Sequence, residues 1–189
     1  LIKELKKAKV LAFDTETDFL VFTQANLVGV SVATDEDNAY YIPVGHDYEG
    51  APKQLDREEV LKKLKPIIEK TPLIGQHLKF DRNVLANYDI HLNAIENDTM
   101  LMSYVYDPTA TRHNLDAMAS HYLNVKTTTF EDVTGKGVKQ LTFNQIPLEK
   151  ASDYAAEDAD ITFRCYSHLK PALAKTPTLE KVLQKIKLP

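Results

Sequence analysis

Apolar positions along the chain follow two periods. Val10-Leu11-Ala12-Phe13 is a short apolar run, entered from Lys6-Lys7 and left through Asp14, which predicts a buried strand near 9–14. Runs near 26–33, 39–43 and 72–77 carry the same signature. Turn-rich segments join the first three, which suits an antiparallel meander. Elsewhere the period is helical. Asp56, with Glu59 three residues on, starts a helix in a capping-box arrangement, and Val60, Leu61, Leu64, Ile67 and Ile68 form its apolar stripe. Further helices are expected near 80–88, 98–106, 114–123 and 147–170, with Pro147 in the first turn of the last and Pro171 and Pro177 interrupting the tail. The pattern is mixed α/β.

Composition narrows the class. A chain of 189 residues suggests one domain, or one with a small appendage, and can bury a sizeable core. The single cysteine, Cys165, excludes an internal disulfide and reads as a small apolar filler on a helix. No cysteine cluster or paired histidine spacing supports zinc fingers. No apolar run approaches membrane-spanning length and no signal peptide is evident, so no membrane partner and a cytoplasmic location are expected. The net charge of −4, without a basic run, argues against extensive duplex binding by phosphate neutralisation. Thr134-Gly135-Lys136-Gly137 lacks phosphate-loop spacing and reads as a flexible loop.

Three stretches carry the candidate chemistry: Asp14-Thr15-Glu16 past the first strand, Asp81 after Gln76-His77-Leu78-Lys79-Phe80, and Tyr154-Ala155-Ala156-Glu157-Asp158 in the last helix. Asp14 and Glu16 are two apart on an extended segment and point to one side. Tyr154 and Asp158 are four apart and share a helix face, while Ala155 and Ala156 allow close approach. Each stretch alone has an ordinary explanation. The acid pair could be a solvated strand edge, Asp81 a helix cap, and Tyr154 a half-buried core residue. Together, four acids that converge would suit two hard divalent cations, which clamp a phosphodiester for in-line attack by water. Those four acids contribute −4 themselves, so the remainder of the chain sums to zero.

The three stretches resemble the motifs of the 3′–5′ exonuclease domain of bacterial DNA polymerase I, in the tyrosine-containing branch of the DEDD exonucleases. Ala25-Asn26-Leu27-Val28-Gly29, Tyr41-Ile42-Pro43-Val44, Leu85-Ala86-Asn87-Tyr88, Asp98-Thr99-Met100-Leu101, Gly135-Lys136-Gly137 and Gln140-Leu141-Thr142-Phe143-Asn144-Gln145-Ile146 extend the likeness over nearly the whole chain. The resemblance implies a ribonuclease H-like mixed sheet flanked by helices. It implies an exonuclease domain over 1–175 and a helical tail over 176–189 leading into a polymerase portion of the same parent chain, so the chain looks like an excised domain. It implies that Asp14, Glu16, Asp81 and Asp158 hold two divalent ions, Mg²⁺ first, with Mn²⁺ or Zn²⁺ as substitutes. Tyr154 would position the attacking water, whose attack releases nucleoside 5′-monophosphates.

The implied substrate contacts are Leu20 and Phe130 on the bases at a single-stranded or frayed DNA 3′ end. Thr17, Gln76, His77 and Phe80 would lie near the terminal nucleotide. His77 and Phe80 depart from the family, which often has Asn and Tyr there. His77 either donates to a phosphate or fills the Asn site as a neutral imidazole. Arg112, with His113, either reaches the substrate or caps local structure. The expected function is a monomeric proofreading exonuclease. An RNA-trimming exoribonuclease and a non-catalytic brace for a polymerase are the alternatives.

Overall fold

The computed structural model describes residues 1–186, so the last three residues of the expected tail lie outside the described residues. Five strands form one sheet: β1 (Leu11–Thr17), β2 (Leu27–Ala33), β3 (Ala39–Pro43), β4 (Leu73–Gly75) and β5 (Ile95–Asp98). Their spatial order is β3-β2-β1-β4-β5. The first three make the antiparallel meander, and β4 and β5 add in parallel beside β1. The result is a mixed sheet. β2 is buried along its whole length, which is why Leu27 to Ala33 reads as a nearly continuous apolar run rather than an alternation.

Helices cover both faces. On one side α1 (Ile2–Leu5), α2 (Arg57–Ile68) and α3 (Lys79–Ala86) enclose Leu11, Phe13, Val30 and Val32. Asp56 caps α2, accepting from the Glu59 amide at 2.9 Å, and the expected apolar stripe is buried. The other side belongs to α4 (Thr99–Tyr106), α5 (Leu115–Met118), α6 (Phe130–Thr134), the 27-residue α7 (Leu148–Ala174) and α8 (Pro177–Ile186). Here Ala12 and Ala33 of the sheet share a core with Ala159 and Leu169 of α7. Small residues on both partners let a helix backbone lie close to the sheet. Among the described residues, no helix is long and apolar enough to cross a membrane.

Several expectations need correction. The acids do not lie past a strand end: β1 runs through Thr17, and Asp14 and Glu16 stay paired with Ser31 and Gly29 of β2. β4 shortens to three residues, and the pattern gives no sign of β5 because three of the four residues of Ile95-Glu96-Asn97-Asp98 are polar. The helix expected near 114–123 breaks into α5 and a π-helical turn over Ala119–Leu123, closed by left-handed Asn124 at φ 54°. Pro171 does not interrupt the last helix but lies inside it. A proline so near the C-terminus costs one ladder bond, while buried Leu169 and Leu173 hold that turn on the core. Pro177 opens α8, whose Leu183 joins the same core.

Gly75 closes β4 just before the site. A Cβ there would meet Leu78 Cδ2 at 2.5 Å and the Phe13 carbonyl oxygen at 2.8 Å. Overpacking against a strand backbone costs about 1–3 kcal/mol. Gly75→Ala should therefore lower the melting temperature by about 2–12 °C, read by a thermal melt. An unchanged melt would show that β4 can shift to make room.

Candidate active site

Strand alternation divides the residues of β1 between two jobs. Leu11 and Phe13 pack into the α2–α3 core and Ala12 into the α7 core, so Asp14 and Glu16 follow Ala12 to the α7 side. Thr15 has the parity of the other side, and it grips α3. Its amide and its hydroxyl both donate to Oδ1 of Asp81, at 2.8 and 2.6 Å. Asp81 sits in the first turn of α3, whose N-cap is Leu78 without a side-chain bond. Its carboxylate ties the helix to β1, which is more than the local capping that sequence alone suggested. A bulge between Glu16 and Thr17 changes the register with β2 next to the acids, a common device for re-aiming side chains at a site.

α7 supplies the rest. Ala151 and Ala155 pack with Val28, Phe143 and Ile146, and one turn of helix brings Tyr154 and Asp158 to the same face. The Tyr154 hydroxyl faces the Asp158 carboxylate, which raises the phenol and is itself lowered by it. Glu16 and Asp81 are 8 % and 1 % exposed, while Asp14, Tyr154 and Asp158 are half-buried.

Burial sets the electrostatics, and mutual repulsion adds to it. Desolvation, then Asp81, Glu16 and Asp158, hold the Asp14 carboxyl well above the usual range. Desolvation, Asp158 and Asp81 do the same to Glu16. Asp81 is pushed up to about 7 by burial, against the lowering effect of the Thr15 bonds. Asp158 reaches about 7 through burial, against the Tyr154 hydrogen bond and with help from Asp116 and Glu157. Burial and the neighbouring carboxylates also raise Tyr154, so its phenol stays protonated at neutral pH.

These four acids form an all-oxygen donor set of the kind hard cations take. Oε1 of Glu16 is buried without a hydrogen-bond partner, and an orphaned buried carboxylate oxygen costs free energy that a cation would recover. The fit lies in donor chemistry and charge. Among the described residues no group of three or more His, Cys, Asp or Glu side chains is arranged to hold a metal ion as it stands. Asp81 is bonded to Thr15, and Asp158 faces the Tyr154 hydroxyl.

The other sequence-derived candidates fall in distinct places. Phe130 opens α6, is 39 % exposed, and meets Tyr154 edge to face at 6.2 Å. Leu20 is 88 % exposed in the loop after β1. Thr17 donates to the Phe19 carbonyl oxygen within that loop. Phe80 packs against the core beneath α3. The Gln76 amide is committed internally, accepting from Thr99 Oγ1 at 2.6 Å and donating to the His113 carbonyl oxygen at 2.8 Å. His77 is exposed and left-handed at φ 60°. Arg112 is exposed beside His113, which shares that backbone conformation and hydrogen-bonds Ser103 Oγ at 2.7 Å. Such conformations in non-glycine residues cluster at functional sites.

Two structural contributors were not visible from the residues themselves. Thr15 could have been suspected from its alternation with the acids. Asp98 is 4 % exposed and gathers the amides of Leu78, Met100 and Leu101, fixing the turn that precedes Asp81. A cavity of about 230 Å³ lined by Ile2, Ile42, Leu55, Val60 and Leu64 lies on the α2 side and includes none of the four acids.

The raised carboxyl groups fix the sign of a pH effect. An acid whose folded pKa exceeds its unfolded value near 4 stabilises the fold below about 4 and loses that contribution as pH rises through about 7. Asp158→Asn in chelator should therefore gain about 1–2 kcal/mol at pH 8, discounted for partial exposure, or about 2–8 °C. The gain should shrink on acidification and vanish near pH 4. A variant that melts below the wild type at pH 8 would contradict the repulsion.

Comparison with known proteins agrees with this geometry. The chain is 50 % identical over 192 residues to DNA polymerase I of Pseudomonas aeruginosa, covering 100 % of this chain and 21 % of that protein. The chain thus spans about a fifth of the length of the curated relatives it matches. Among solved structures, the catalytic core of RRP6 from Trypanosoma brucei superposes with a TM-score of 0.72 at 17 % identity, over 97 % of this chain and 46 % of that one. NrnC of Brucella melitensis with bound Mg²⁺ gives 0.62 at 21 % identity, over 95 % and 82 %. These likenesses establish the ribonuclease H-like fold. The 3′-5′ exonuclease family of DNA polymerase A type matches residues 1–174, and the chain belongs to that family.

Proposed function

We propose that the domain is a proofreading-type 3′–5′ exodeoxyribonuclease that works with two divalent cations. One observation carries the reading: three separate elements, β1, α3 and α7, bring four mutually repelling carboxylates together, and Glu16 among them keeps a buried oxygen without a partner. A fold that only braced a polymerase would gain nothing from that repulsion. Asp14, Glu16, Asp81 and Asp158 would hold the ions, Mg²⁺ first with Mn²⁺ or Zn²⁺ as substitutes, which supply positive charge at the scissile phosphate and lower the pKa of water.

The chain's own groups do the rest. Tyr154 stays protonated, faces Asp158, and has oxygen lone pairs to accept from a water, so its role is orientation rather than proton abstraction. Phe130 and Leu20 offer apolar surface to unstacked terminal bases. His77, Thr17 and Arg112 are exposed or half-exposed polar groups suited to the terminal sugar and phosphate. The Gln76 amide, bonded on both ends, would act by holding the His113 turn in place. The 50 % identity to a DNA polymerase I supports DNA as the substrate and a polymerase portion of the parent chain as the covalent partner. A monomeric domain is the simplest state consistent with that arrangement.

The test follows release from labelled oligonucleotides. Mg²⁺-dependent liberation of nucleoside 5′-monophosphates from the 3′ end is expected. Single strands and mismatched termini should be digested faster than matched duplex, because unpairing a matched end costs a few kcal/mol. Equal rates on all three, or release from the 5′ end, would refute proofreading; preference for RNA would redirect the reading to RNA trimming.

Two substitutions probe the roles. Asp14→Ala should abolish hydrolysis without unfolding the protein; a wild-type rate would remove Asp14 from the site. Tyr154→Phe should slow hydrolysis by roughly 10- to 1000-fold with metal affinity almost unchanged. Severe loss of metal affinity in that variant, with a normal fold, would make the phenol a ligand instead.

A further inference from the structure

Phe143 is 1 % exposed and its ring touches four others. It stacks on Phe130 at 6.5 Å with 13° between the planes. It lies tilted against Tyr154 at 5.9 Å and His46 at 5.8 Å, and edge-on to Tyr41 at 6.4 Å. Phe130 and Tyr154 also meet directly, so three of the rings form a closed triangle. The back of the cluster is rigid. The Tyr41 hydroxyl bonds His46 Nε2 at 2.8 Å, and the His46 backbone is pinned by Gln54 in both directions, at 2.8 and 2.7 Å. The Tyr41 ring covers Gly29, where a Cβ would come within 2.2 Å of it, and Gly29 is the register partner of Glu16.

The front of the cluster needs that support. Phe130 begins α6, a helix of only five residues held by the Thr129–Asp132 capping box, and so short a helix does not fix a side chain by itself. The Tyr154 hydroxyl faces Asp158, but the phenol ring can still swing there unless something bears on its face. Phe143 bears on both rings at once. Aromatic pairs at these separations prefer particular mutual orientations, so displacing one ring of the triangle moves the energy minimum of the other two.

We propose that Phe143 is a positioning residue for hydrolysis, the hub through which the ring of Phe130 and the phenol of Tyr154 are held in one shared arrangement. A base packed on Phe130 is thereby coupled to the group that orients the water. The inference rests on the roles given above to Tyr154 and Phe130, and its test separates the two.

Phe143→Leu, with Phe143→Met as a second, unbranched and more adaptable variant, is combined with Tyr154→Phe and, separately, with Phe130→Ala. In the otherwise wild-type protein, Phe143→Leu should lower kcat on single-stranded DNA about 10-fold and raise KM severalfold. In the Tyr154→Phe background the further loss in kcat should be less than about 2-fold, and in the Phe130→Ala background KM should not rise again. A merely structural role would multiply the same factor into every background while lowering the melting temperature alike. Equal factors in both cycles, or wild-type kinetics in both Phe143 variants, would overturn the proposal. A Tyr154→Phe enzyme with the wild-type rate would overturn the role of Tyr154, and the Phe130 cycle would then decide for Phe143 by itself.

Discussion

Gathering four carboxylates where water is scarce is the constraint on which the rest of this structure depends. Burial raises all four, and Asp14 and Glu16 are raised further by the neighbouring acids of the cluster; like charges in a poorly solvated cluster repel far more strongly than at a surface. Packing elsewhere must offset that cost. The two cores on either side of the sheet do so, with Phe13, Leu64 and Ile68 on the α2 side and Met118, Cys165 and Leu169 on the α7 side almost fully buried. The thiol of Cys165, pushed up to about 12 by burial, is part of that packing rather than of the chemistry.

Three devices hold the acids in place. Strand alternation separates Asp14 and Glu16 from Thr15, leaving the threonine free to anchor Asp81 from the neighbouring helix. Alanines at sheet and helix let α7 come close enough for Asp158 to interact with the acids of β1. Asp98 collects backbone amides from the turn before α3 and from the start of α4, so the chain enters α3 at a fixed angle. Around that turn His77 and His113 hold left-handed backbones, stabilised in part by Gln76, Ser103 and Tyr122.

The aromatic cluster answers a different need. A protonated phenol held in one orientation requires a well-packed ring. Phe143, Phe130 and Ala155 supply that packing around Tyr154, whose hydroxyl faces Asp158. The residues that raise its pKa are the same ones that give it something to orient toward.

Local pattern in the sequence was enough for the meander, the stripe of α2 and the spacing that puts Tyr154 and Asp158 on one helix face, because these depend on period and on residues a few positions apart. Resemblance over nearly the whole length added the family and the four acids as a set. Neither period nor spacing could reveal β5, whose Asn97 and Asp98 are buried by packing rather than by hydrophobicity, or the continuation of α7 through Pro171, which tertiary contacts at Leu169 and Leu173 carry. Nor could they show that Asp81 belongs to Thr15, 66 residues away. Which carboxylates face one another, and which ring bears on Tyr154, were decided only when the sheet and α7 closed together. Burial and close approach are properties of the packed molecule, and no run of neighbouring residues contains them.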